Sequence, residues 1–107
     1  MTRPERALQV WQVLVGAAHN RQLLTYEILA ELIGMGAGTM AQTLGIVMRY
    51  CDERDLPPLT AIVVKKSSGV PGTGLTTLRE INRDREAVYS HPWYRQIPPQ
   101  LTEFEQI

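Results

Sequence analysis

The first fifty residues place apolar side chains at intervals of three and four, and they do so in three separate runs. Leu8, Trp11, Leu14, Val15 and Ala18 form one such run. A second lies in Tyr26-Glu27-Ile28-Leu29-Ala30-Glu31-Leu32-Ile33, and a third is Met40, Leu44, Val47, Met48 and Cys51. A period near 3.6 is the signature of a helix with one buried face, so the chain must be built around three amphipathic helices whose stripes share a core. Punctuation agrees with the period. Thr2 with Glu5 has capping-box spacing and Pro4 falls in the first turn, where its missing N–H is harmless. This predicts a helix from about residue 3 to Ala18. Thr25 is a good N-cap for the second helix, and Gly34 stands where a left-handed residue closes one. Gly34-Met35-Gly36-Ala37-Gly38 then reads as a turn, with Thr39 opening a third helix that reaches about Asp52.

The pattern changes after Leu56-Pro57-Pro58. Leu59-Thr60-Ala61-Ile62-Val63-Val64 is short and β-branched, which predicts a strand. Lys65-Lys66-Ser67-Ser68-Gly69 reads as a turn and Val70-Pro71-Gly72-Thr73-Gly74-Leu75 as an irregular return limb, together a ragged hairpin. Thr77 and Glu80 repeat the capping-box spacing, and Leu78, Ile81, Val88 and Tyr89 predict a further helix broken by Pro92. The segment 93–107, with Trp93, Tyr94, Ile97, Leu101 and Phe104, is expected to pack back on the domain. The order of elements predicts an α+β fold: a winged helix-turn-helix with a small β-hairpin and an added C-terminal helix, in one domain spanning 1–107.

Composition narrows the function classes. At 107 residues, 44% hydrophobic and 21% charged, the chain is long enough for one core and outside the disordered regime. Eleven lysines and arginines balance eleven aspartates and glutamates, so no whole-molecule field draws it to phosphate or to acidic membranes. One cysteine, Cys51, permits no internal disulfide, and no apolar run reaches the ~20 residues that span a bilayer. A cytoplasmic protein without membrane contact is expected.

Residues 24–75 resemble the DNA-binding C-terminal domain of the O6-alkylguanine DNA alkyltransferases and their alkyltransferase-like relatives. The features that carry the resemblance are Thr25-Tyr26, Leu29-Ala30, Ile33-Gly34, Leu44-Gly45, the proline-containing approach to a valine-rich segment, and the glycine-rich stretch behind it. The resemblance implies a winged helix with a surface facing nucleic acid. It does not extend to alkyl transfer or lesion recognition. The family's Pro-Cys-His-Arg motif, or its tryptophan variant, is replaced by Leu59-Thr60-Ala61-Ile62-Val63-Val64-Lys65-Lys66, and its recognition-helix arginine is missing from Met40-Ala41-Gln42-Thr43-Leu44-Gly45.

No catalytic set converges in the sequence. Cys51 lies on an apolar stripe, where a thiol acts as a small hydrophobe. His19 and His91 lack metal-ligand spacing, so neither a metal nor a cofactor is implied. Gly34-x-Gly36-x-Gly38 has no strand before it and no Gly-Lys-Ser/Thr after it, and a turn is the simpler reading. A non-enzymatic binding protein is expected. With Met40, Leu44, Val47, Met48 and Cys51 inward, Thr39, Gln42, Thr43, Ile46, Arg49 and Tyr50 should face out. Gln42 and Arg49 carry groups that read base edges, Thr39 and Thr43 suit phosphate or a thymine methyl, and Lys65 and Lys66 would supply charge to the backbone. Two partners follow: DNA, with a homodimer adding phosphate contacts, or a protein held through Ile46, Tyr50, Trp93 and Tyr94, residue types that anchor interfaces.

Overall fold

A computed structural model describes residues 1–70 and 81–107, apart from the side chain of Ala37. Helix α1, Arg3–His19, is the spine. It starts on the expected reciprocal cap, with Glu5 N–H donating to Thr2 Oγ1 at 3.3 Å and Thr2 N–H donating to Glu5 Oε1 at 2.8 Å. Its apolar stripe of Ala7, Val10, Trp11, Leu14, Val15, Ala17 and Ala18 is buried. Strand β1, Leu24–Thr25, leads into α2, Tyr26–Ile33, whose first turn is held by Ile28 N–H donating to Thr25 Oγ1 at 3.1 Å. Gly34, at φ +71°, closes α2 in the left-handed conformation that a Cβ disfavours. The Arg6 guanidinium of α1 donates to the Ile33 carbonyl, which ties the C-terminal end of α2 to the N-terminal end of α1.

A 3₁₀ turn at Ala37–Thr39 leads into α3, Met40–Glu53, packed along α1. The segment expected as a strand differs from that reading. Leu59–Ile62 is a 3₁₀ turn, and only Val63–Val64 are extended, as β2. Among the described residues β2 pairs parallel with β1, Leu24 with Val63 and Thr25 with Val64. The reason lies in burial. Every residue from Leu59 to Val64 is buried, so the run is core on both faces, whereas a hairpin strand with one wet face would alternate. A β-branched apolar run fits either role.

Helices α4, Ile81–Ser90, and α5, Leu101–Glu105, follow, with a 3₁₀ turn at Trp93–Arg95 between them. The described residues thus form a largely helical protein of five α-helices with one two-residue parallel strand pair, and the expected α+β winged helix-turn-helix with a hairpin wing is not its architecture. Lys65–Val70 does turn back, with Lys65 N–H donating to the Val70 carbonyl at 2.8 Å. The rest of the return limb, 71–75, and the Thr77/Glu80 cap lie outside the described residues. No described helix is long and apolar enough to cross a membrane.

Candidate nucleic-acid interface

The outward face of α3 follows from its burial pattern. Met40, Thr43, Leu44, Val47, Tyr50 and Cys51 are buried, a set that at about 100° per residue covers one broad side of the helix. Gln42 and Arg49 point almost directly away from it, and both are exposed. Thr39 is exposed at the helix start, its hydroxyl donating to the Gly36 carbonyl at 3.0 Å.

Two of the residues expected outside on α3 are inside. Thr43 is 1% exposed and Tyr50 5%. Both lie on one flank of the Met40–Leu44–Val47–Cys51 stripe, and that flank is covered by neighbours from distant sequence. Tyr50 meets Trp11 edge-on at 5.3 Å and Phe104 of α5 at 5.1 Å, and its hydroxyl donates to Glu103 at 3.1 Å. Thr43 therefore cannot be a phosphate contact, nor Tyr50 an interface anchor. Met48, expected on the inner stripe, is half-buried, as is Ile46 on the opposite flank. Trp93 is also buried, at 5% exposure, with its indole N–H donating to the Val88 carbonyl at 2.8 Å and its ring against Trp11. Tyr94, at 67%, is exposed. Cys51 is fully buried, and burial pushes its thiol up to about 11, far from a reactive thiolate.

Gln42 and Arg49 share a depression of about 370 Å³ with Gly45, Ile46, Ile107 and Arg3, a residue the sequence pattern had not singled out. A second depression, of about 270 Å³, adjoins it through Arg3 and is lined by Met1, Arg6, Met35, Thr39 and Thr43. No aspartate or glutamate side chain is among these described lining residues. Arg3 and Arg49 are exposed, and their side chains have no hydrogen bond or ion pair among the described residues, in contrast to Arg21, paired with Glu86 at 2.6 Å, and Arg54, 3.8 Å from Glu103. Arg3 was invisible to sequence reasoning because nothing local brings the first turn of α1 beside the middle of α3. Only the packing of the two helices does.

Lys65 and Lys66, also exposed, stand elsewhere. They follow Val64, which pairs with Thr25 at the N-terminal end of α2, whereas Thr39 and Gln42 lie beyond its C-terminal end. Neither lysine lines either depression.

No family model matches the chain, and no curated protein or solved structure is significantly similar to it. What the site can do rests on its own geometry.

Proposed function

We propose that the protein binds nucleic acid, without catalysing a reaction on it, through the exposed face of α3 and the first turn of α1. The observation that carries this reading is the pairing around Gln42, in one depression, of two exposed guanidinium groups, Arg3 and Arg49, whose side chains have no partner among the described residues. Arginine is the side chain best matched to phosphate and to the guanine edge, and glutamine to the adenine edge. Gln42 and Arg49 are two turns apart, about 10.5 Å along the helix, a span that suits a major groove about 12 Å wide. Thr39 opens the same face.

Zero net charge makes this a modest binder whose affinity is local in origin. Two phosphate contacts predict that log K falls with log salt at a slope of about −1.8, roughly a twelvefold loss between 50 and 200 mM. The test is a fluorescence-anisotropy titration of mixed duplex and single-stranded DNA across salt. Arg3→Ala and Arg49→Ala should each flatten the slope by about 0.9, while Lys65→Ala/Lys66→Ala should leave it unchanged. Absence of binding at low salt, or a slope indifferent to both arginines, overturns the reading.

A further inference from the structure

At the other end of α1 the surface has a different character. Tyr94, two-thirds exposed, stands as a ridge between two grooves. One, of about 240 Å³, is walled by His19, Tyr89, His91 and Tyr94; the other, of about 460 Å³, by Trp11, Val15, Tyr94 and Pro98. Trp93 lines both, and its ring is fixed by the hydrogen bond to Val88. We propose that this pair of grooves is a docking site for a proline-rich segment of a partner protein, held as a polyproline II helix with an acidic residue beside its prolines.

Three observations carry the proposal. The first is shape. A polyproline II ligand has three residues per turn at about 3.1 Å each, so prolines three apart present successive rings to one side about 9 Å apart, and such rings dock into neighbouring aromatic-walled slots. The two grooves, which share Tyr94, are neighbouring aromatic-walled slots of that kind. The ring geometry distinguishes this ligand from a nucleobase. His19 meets Tyr94 at 71°, His91 meets Trp93 at 60° and Trp11 meets Trp93 at 85°. None of these pairs offers the two parallel faces between which a flat base would stack, whereas a puckered pyrrolidine packs against inclined walls.

The second observation is hydrogen bonding. Polyproline II carbonyls have no partners of their own. Gln96 lines the larger groove, and its amide oxygen lies 2.5 Å from His91 Nε2, which leaves its amino group to donate. Gln12, exposed on α1, supplies a second donor in the same wall. The third is charge. Arg95 lines the smaller groove, is exposed, and has no hydrogen bond or ion pair through its side chain among the described residues. No aspartate or glutamate is among the described lining residues of either groove. An acidic residue in the ligand completes that site.

His19 is sixteen residues from Arg3 along α1, about 24 Å, so this site and the α3 face are separable by mutation. The experiment uses the whole chain and a fluorescein-labelled peptide of ~10 residues, about 30 Å long as polyproline II, with prolines three apart and a flanking glutamate. Saturable binding is expected, with quenching or shift of tryptophan emission. Tyr94→Ala should weaken it by about tenfold or more, with thermal stability held, since Tyr94 is exposed. Arg95→Glu should reverse the preference for the glutamate peptide over its lysine counterpart. Failure of the peptide to bind at millimolar concentration, binding indifferent to Tyr94, or Tyr94-dependent binding of oligothymidylate in its place overturns the proposal.

Discussion

Phe104→Ala tests whether the last seven residues are part of the core or a dispensable tail. Helix α5 is five residues long, far below the length at which a helix holds in water by itself. Its N-terminal box, in which Gln100 N–H donates to Glu103 Oε2 at 3.3 Å, is exposed and contributes little. What fixes it is Phe104, 1% exposed, with its ring 5.1 Å from Tyr50 and 6.2 Å from Trp11, helped by the Tyr50–Glu103 hydrogen bond. Truncating a buried phenylalanine destabilises by about 3–5 kcal/mol, a third or more of the total stability of most domains. At about 4 °C per kcal/mol for a chain of this size, the midpoint should fall by roughly 12–20 °C. Loss of α5 also uncovers Trp11, so tryptophan emission should shift to the red before global unfolding. Urea unfolding followed by circular dichroism and fluorescence reads both. A loss below about 1 kcal/mol with unchanged emission would mean that α5 is not an element of the core and that Tyr50 is held by α1 alone.

Alkaline pH should destabilise the fold through two neighbours. Burial pushes Cys51 up to about 11, and burial with the hydrogen bond to Glu103 pushes Tyr50 up to about 12. The fold keeps both protons where the unfolded chain has released them, so stability is full below about pH 9 and declines from there toward pH 12, by of order 2 kcal/mol for each group. Urea midpoints should fall less steeply between pH 8.5 and 11.5 in Cys51→Ala/Tyr50→Phe, and an equal slope would refute the assignment. Thr43→Val should leave DNA affinity unchanged while Gln42→Ala lowers it, as read by anisotropy, because the first side chain is buried and the second is not.

The helical half was legible because its signals are local. The Thr2/Glu5 box, the Thr25 cap, Gly34 and the period of three and four set α1 and α2 to within a residue or two and placed Met40, Leu44, Val47 and Cys51 inside. The errors share one cause. Whether Thr43 and Tyr50 are wet depends on what lies against the flank of α3, and in the case of Tyr50 that is Trp11, thirty-nine positions earlier, and Phe104, fifty-four later. A strand pair of two residues has no period to read, and Val63-Val64 looks the same beside Leu24-Thr25 as beside a return limb. Lys65 and Lys66, assigned to a wing beside this face, line neither depression, and Arg3 went unseen because its neighbours are on another helix.

The distribution of cations explains how a neutral chain can still present charged sites. Arg21 is spent on Glu86, Arg54 on Glu103 and the Tyr50 ring, Arg6 on the end of α2, and Arg85 on the carbonyls of Ala61 and Gly69. These four bind the elements to one another, and their charge is neutralised or shared with backbone dipoles. Arg3, Arg49 and Arg95 have no side-chain partner among the described residues, and they sit in depressions and not on ridges. An exposed guanidinium with no side-chain partner is free to meet an anion, and clefts lined by one sign of charge focus the field on it. The two ends of α1 therefore make distinct demands of a ligand. At Arg3 and Arg49 the anion must come with base edges within reach of Gln42, and at Arg95 with apolar rings that fit beside Tyr94. A single variant at either end should abolish one interaction and spare the other, since no residue lines the depressions at both ends.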